Sequence, residues 1–292
     1  MRKYLSSRMV PFLLFIVMVP FSPFAHSDPI GEISIDYQRL IHRLSQDGFD
    51  PKFIINILTD SRVELIPSFM TLSLNSVEKK ELYDRFLSPE SIGLSKKFLQ
   101  ENRNFLSEIE KEHHVDKEVI VAILFVESRF GENIGKYRVF STLVSRALTD
   151  TQDNLNKNYD LLQKMNPGLS YEWLEGWSKR KATWAYHELK CFLKIIQDEK
   201  MDPLEVHGSS FGALGMAQFI PSSYLTFAIS QKGLAGWLFS KEEAISSIAN
   251  YLKSHGWEQK LPLKKKRQIL WYYNRSIPYV ETILKIAQKI KH

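Results

Sequence analysis

Apolar residues recur at helical spacing along most of this chain, while the alternating pattern of a half-buried strand is sparse. Four amphipathic stretches come first: Tyr37 to Leu44, Phe53 to Leu58, Val77 to Phe86, and Ile92 to Leu106. Gly48-Phe49-Asp50-Pro51 and Ser88-Pro89 part them, and turn residues at such breaks predict short connections between packed helices. A fifth helix is predicted after Asp116, placed to cap it. A polar stretch from Thr149 to Asn158 leads into a segment from Tyr159 to Trp177 that carries Tyr171, Trp173 and Trp177. A long helix is expected from Ala182 to Lys200, with Trp184, Leu189, Phe192, Leu193 and Ile196 inward. The pattern predicts a mainly α fold with a multi-helix core.

The fifth helix holds an ionisable group where hydrocarbon is expected. Ile120, Ile123, Leu124 and Glu127 fall at i, i+3, i+4 and i+7, so Glu127 closes an apolar stripe. Burial disfavours its charged form, and so does the negative end of the helix dipole, which Gly131 puts within about one turn. A carboxyl group that stays protonated near neutral pH is suited to act as a general acid on a glycosidic bond. The competing reading is a solvated carboxylate, or one paired with Arg129 or Lys136. Further on, Gly208, Gly212 and Gly215 stand close to Gln218. Such a segment lets backbone approach a ligand closely, or simply turns between helices; with no Gly-Lys-Ser/Thr after it, it is not a phosphate loop.

Composition narrows the setting. Arg2, Lys3 and Arg8, an apolar run from Met9 to Val19, and Ala25-His26-Ser27 read as a signal peptide over residues 1–27, cut after Ser27. The run is short, and broken by Pro11 and Pro20, for a bilayer span of about 20 residues, so no stable membrane anchor is expected. Cys191 is the only cysteine, which excludes an internal disulfide, and a soluble periplasmic protein fits. Loss of the three leader cations lowers the net charge from +6 to +3. That mild excess suits an anionic polymer, while even Lys264-Lys265-Lys266-Arg267 reads as a solvated helix start, and no nucleic-acid partner is expected.

Four motifs then occur in order: Glu127-Ser128; Gly-Ala-Leu-Gly-Met-Ala-Gln-Phe-Ile-Pro-Ser-Ser-Tyr from Gly212 to Tyr224; Ala-Asn-Tyr-Leu-Lys-Ser-His-Gly-Trp from Ala249 to Trp257; and Tyr273-Asn274-Arg275-Ser276. Together they resemble the lytic murein transglycosylases of the B type. The resemblance implies an α+β lysozyme-like fold of mainly helical content with an active-site cleft. It divides the chain into an N-terminal helical region, 28–110, packed on a catalytic domain, 111–292, with an insertion at about 150–180. By the same resemblance Glu127 is the catalytic acid, Ser209, Gln218, Tyr273 and Asn274 contact the sugar, and Met216 and Phe219 form apolar walls.

The implied reaction cuts the MurNAc–GlcNAc β-1,4 bond of peptidoglycan and leaves 1,6-anhydro-MurNAc ends, with no cofactor. No second carboxylate falls in the matched motifs, as a hydrolase would need; Glu132 and Asp150 are the nearest in sequence. A water-using muramidase and a non-catalytic peptidoglycan-binding or scaffold protein are the alternatives. Glycan strands are the expected partner, with a cell-wall or secretion-machinery protein as a further possibility. The chain departs from the family where an acidic calcium loop is usual: Ile229 to Trp237 contains no carboxylate, so no metal is expected. The stretch between Trp257 and Tyr273 is short and basic, and Ser210-Phe211 replaces the usual Tyr-Ala. Tyr171, Trp173 and Trp177 in the insertion either pack locally or stack on sugar rings or a partner.

Overall fold

The computed structural model describes residues 34–66, 81–231 and 233–291. The expected signal peptide and the first part of the Val77 to Phe86 stretch lie outside these residues. The described chain is mainly helical, as the pattern predicts. Helix α1 (Ile35–Gln46) is capped by Ser34 and α2 (Pro51–Leu58) by Asp50, with Pro51 pre-set for the first turn. After α3 (Glu81–Asp84) and a 3₁₀ turn (Arg85–Leu87), Ser88-Pro89 starts α4 (Pro89–Glu101). The single helix expected from Ile92 to Leu106 is in fact two, α4 and α5 (Arg103–His113). Asn102 divides them, because its side-chain Nδ2 donates to Phe98 O at 2.8 Å and satisfies a carbonyl at the end of α4.

Helix α6 (Lys117–Ser128) is buried all round from Glu118 to Ser128 and forms the centre of the molecule. The expectation of a one-faced apolar stripe was therefore too narrow: α4, α5, α12 and α14 enclose it. Asp116 stands at its start without making the expected side-chain cap. Its carboxylate accepts instead from Trp257 Nε1 at 3.0 Å and Lys266 Nζ at 2.7 Å, so part of the presumed solvated basic run serves as a structural cation.

Strand β1 (Tyr137–Arg138) pairs antiparallel with β2 (His207–Gly208), Tyr137 facing Gly208. Between them run α7 (Val139–Ala147), α8 (Gln152–Met165) and α9 (Tyr171–Glu199). The polar stretch at Thr149–Asn158 is thus mostly the first turns of α8, and the long helix starts at Tyr171, where Ser170 caps it, rather than at Ala182. Helices α10 (Pro221–Phe227), α11 (Gly233–Trp237), α12 (Lys241–Ser254), α13 (Leu263–Tyr273) and α14 (Ile277–Ile290) complete the fold. One hydrophobic cluster runs from Tyr37 in α1 through α6 and α9 to Ile290 in α14. A smaller one, Leu155, Leu162 and Leu174, holds the α8–α9 hairpin together.

Candidate active site

Glu127 lies in the last turn of α6, and 6 % of its surface is exposed. Burial pushes its carboxyl group up to about 8, partly offset by a hydrogen bond that Tyr279 Oη donates to Oε1 at 2.7 Å. Tyr279 belongs to α14, whose packing against α6 brings the two groups together. Neither suggested cation pairs with the acid. Arg129 bonds Glu132 at 3.0 Å, and Lys136 lies over the Tyr137 ring.

The chain leaves α6 through three consecutive left-handed residues, Arg129 (φ 51°), Phe130 (φ 61°) and Gly131 (φ 94°). Two of these are not glycine, so the turn is strained and needs its anchors. Ser128 supplies one: its Oγ donates to Met216 O at 2.7 Å and accepts from Gly131 N at 3.0 Å. Phe130 supplies another by stacking on Phe98, with ring centroids 4.0 Å apart. The helix end carrying the acid is thereby fastened to the glycine-rich loop.

That loop is built by close backbone approach. A side chain at Gly135 (φ 100°) would strike the Gly208 carbonyl, and one at Gly208 would strike Ala213 O. Ser209 Oγ accepts from the N–H groups of Phe211 (3.2 Å) and Ala213 (3.0 Å), so this hydroxyl shapes the turn. Gln218 is held in the left-handed region (φ 49°), and its Nε2 donates to Gly215 O at 2.8 Å and Ile134 O at 3.0 Å. Both amide protons are used, so toward a ligand Gln218 offers an acceptor only, not the donor and acceptor expected from its chemistry.

Tyr273 is half-buried, its ring nearly parallel to that of Tyr279 with centroids 6.4 Å apart, and its hydroxyl donates to Ala217 O at 2.6 Å. Burial first, then the neighbouring Glu127, raises the phenol well above its ordinary range. Asn274 is buried, and its Oδ1 has no hydrogen-bond partner. Met216 lines a cavity of about 370 Å³ beside the end of α6, with Phe98, Phe130, Gly131, Phe239, Lys241 and Glu242. Phe219, expected as a second apolar wall, is 2 % exposed and packs among Trp237, Tyr251 and Tyr273, so it belongs to the core rather than to an exposed wall.

Sequence reasoning missed Ser128 and Tyr279. Ser128 had its adjacency to Glu127 as a signal; Tyr279 had none, being 152 residues from the acid it touches. Tyr279→Phe is expected to slow turnover about tenfold through loss of one hydrogen bond to the carboxyl group. Because that bond lowers the acid's pKa, its removal should move the alkaline limb of the pH–rate profile upward from about 8. A profile that stays in place would refute a positioning role.

Where the family's calcium loop is usual, Glu243 from α12 accepts from Ser230 Oγ at 3.1 Å and Gln231 N at 3.1 Å. A carboxylate thus does reach this segment, but both its oxygens are taken by protein donors. Among the described residues no cluster of three or more His, Cys, Asp or Glu side chains is placed to hold a metal. EDTA is expected to leave the melting temperature unchanged, since a site that binds nothing adds no linkage; a calcium-dependent rise would show otherwise.

The sequence model of the family described as "Transglycosylase SLT domain" matches residues 34–269. The chain is 32% identical over 174 residues to membrane-bound lytic murein transglycosylase B of Escherichia coli (strain K12), a match covering 59% of this chain and 40% of that relative. The match therefore spans less than half of the relative's length. Among solved structures, soluble lytic transglycosylase SltB1 of Pseudomonas aeruginosa superposes with a TM-score of 0.69 at 22% identity, covering 87% of this chain and 97% of that one. SltB3 of the same organism, solved in complex with NAG-anhNAM-pentapeptide, gives a TM-score of 0.68 at 17% identity, over 87% of this chain and 78% of that one. At these identities the structures establish a shared fold.

Proposed function

This chain belongs to the transglycosylase SLT domain family, and we propose on that premise that it is a periplasmic lytic transglycosylase acting on the glycan strands of peptidoglycan. The observation that carries the reading is Glu127: a buried carboxyl group, raised to about 8, with a hydroxyl and, among the described residues, no cation as its partner. It is protonated at neutral pH and placed in the last turn of a helix clamped to the glycine-rich loop.

Glu127 gives its proton to the glycosidic oxygen between MurNAc and GlcNAc as the bond from that oxygen to the anomeric carbon breaks. The substrate's own N-acetyl group steadies the electron-poor anomeric carbon. The carboxylate left behind then takes the proton of the MurNAc 6-hydroxyl, whose oxygen closes onto the anomeric carbon and leaves a 1,6-anhydro end. Both steps use one carboxyl group, and the second is intramolecular. No carboxylate contributes to the electrostatics of Glu127 among the described residues. Glu132 is paired with Arg129, and Asp150 feels Arg43, Lys179 and Asp36 instead, so neither supports a base for water.

Export follows from the leader read in residues 1–27, with cleavage after Ser27. No helix of the described residues is long and apolar enough to cross a membrane. The test is mass spectrometry of digested peptidoglycan. The expected muropeptides are one water lighter than hydrolase products; reducing MurNAc ends as the main product would reassign the enzyme as a muramidase, and no products at all would leave a binding protein.

A further inference from the structure

The α8–α9 hairpin carries an aromatic and basic ridge that the chemistry at Glu127 does not use. Local packing accounts for part of its composition. Tyr171 bonds Gln152 and packs edge-on against Tyr159, while Leu155, Leu162 and Leu174 form the hairpin's own core, with Trp177 half-buried against it. Packing does not account for Trp173, which is 49 % exposed. Trp173, Trp177 and Lys181 succeed one another at i, i+4 and i+8 along one edge of α9. The two indoles are nearly parallel, 17° apart with centroids at 6.4 Å, and Lys181 Nζ lies 5.3 Å from the centroid of the Trp177 ring.

Lys181 has no acidic partner among the described residues. Partial burial first, and then its charged neighbours Arg146 and Arg180, hold the ammonium down to about 8. Beneath the ridge, the buried Arg146 ties it to the catalytic loop: its Nε donates to Ser210 O at 2.8 Å, and its guanidinium lies 4.0 Å from the centroid of the Phe211 ring. The exposed part of the ridge is thus Trp173 with the half-buried Trp177 and Lys181, anchored from below to the loop that holds Ser209. Flat indole faces suit the apolar faces of sugar rings, and a cation short of an anion suits a carboxylate.

We propose that Trp173, Trp177 and Lys181 form a second binding surface for peptidoglycan, one that holds a carboxylate-bearing peptide stem and its sugar beyond the bond being cut. The inference rests on the functional reading above. The bound strand follows the ridge, with ring faces against the indoles and a stem carboxylate at the Lys181 ammonium.

The experiment is co-sedimentation of the full chain, carrying Glu127→Gln to prevent turnover, with purified sacculi that are either intact or stripped of their stems by an amidase. Trp173→Ala, at an exposed position, should weaken binding to intact sacculi about five- to tenfold without shifting the melting temperature. Lys181→Gln should weaken it similarly on intact sacculi and have no effect on stripped ones. If both variants sediment with intact sacculi as the parent does, or if the Lys181→Gln effect survives removal of the stems, the inference is wrong. Failure of the underlying functional reading looks different: the chain with Glu127 restored would then release no anhydro ends.

Discussion

Glu127→Gln is expected to lower peptidoglycan cleavage by about 10²- to 10⁴-fold, the range a positioned general acid contributes, while sacculus binding persists. The substitution is nearly isosteric, and its amide oxygen can still accept the hydrogen bond from Tyr279, so the clamp at the end of α6 should survive. What is lost is the transferable proton. Because the same carboxyl group is assigned both proton steps, release of anhydro ends should fall by that whole factor, with no reducing ends appearing in their place. Turbidity clearance of sacculi together with product mass spectrometry measures this, and near-normal turnover in the variant would remove Glu127 from the mechanism.

The same substitution is expected to stabilise the folded chain at alkaline pH. The carboxyl group titrates near 4.5 when unfolded and near 8 in the fold, so between these values the native state holds a proton that the unfolded state has released. The sign follows: stability from this group is complete below pH 4.5 and is lost as pH rises toward 8. A neutral Gln has no such dependence. Over the span from pH 5 to pH 8 the variant should therefore gain about 3 kcal/mol on the parent, from about 1.4 kcal/mol per pH unit moderated near each pKa. Urea unfolding of both proteins at the two pH values gives the difference, and groups common to both, such as the buried Glu188, cancel. An equal stability gap at both pH values would mean that the site is wetter than its burial indicates.

Much of this protein was legible locally. The breaks at Asp50-Pro51 and Ser88-Pro89 are visible in the sequence, and the structure places a helix start at each, because capping acts within three residues. Glu127 stood out because a carboxylate among Ile120, Ile123 and Leu124 violates the pattern around it. Its burial, and the direction of its pKa shift, were implied by sequence alone. So was the absence of carboxylates from the Ile229 to Trp237 stretch itself.

Only the tertiary structure decided what those residues touch. Asp116 looked like a cap and became the partner of Trp257 and Lys266, since a carboxylate gains more from a cation and an indole N–H brought against it than from its own helix. Gln218 looked free to donate and was found with both amide protons given to backbone carbonyls, because a loop this tight must satisfy its buried oxygens. Tyr279 reaches Glu127 across 152 residues, and Glu243 fastens the Ser230–Gln231 segment from the next helix. Periodicity reports which face of a helix is apolar, whereas the partner of a buried polar atom is set by how α6 meets α14 and how the glycine-rich loop folds onto Ser128. Those long-range contacts leave no spacing in the chain to read.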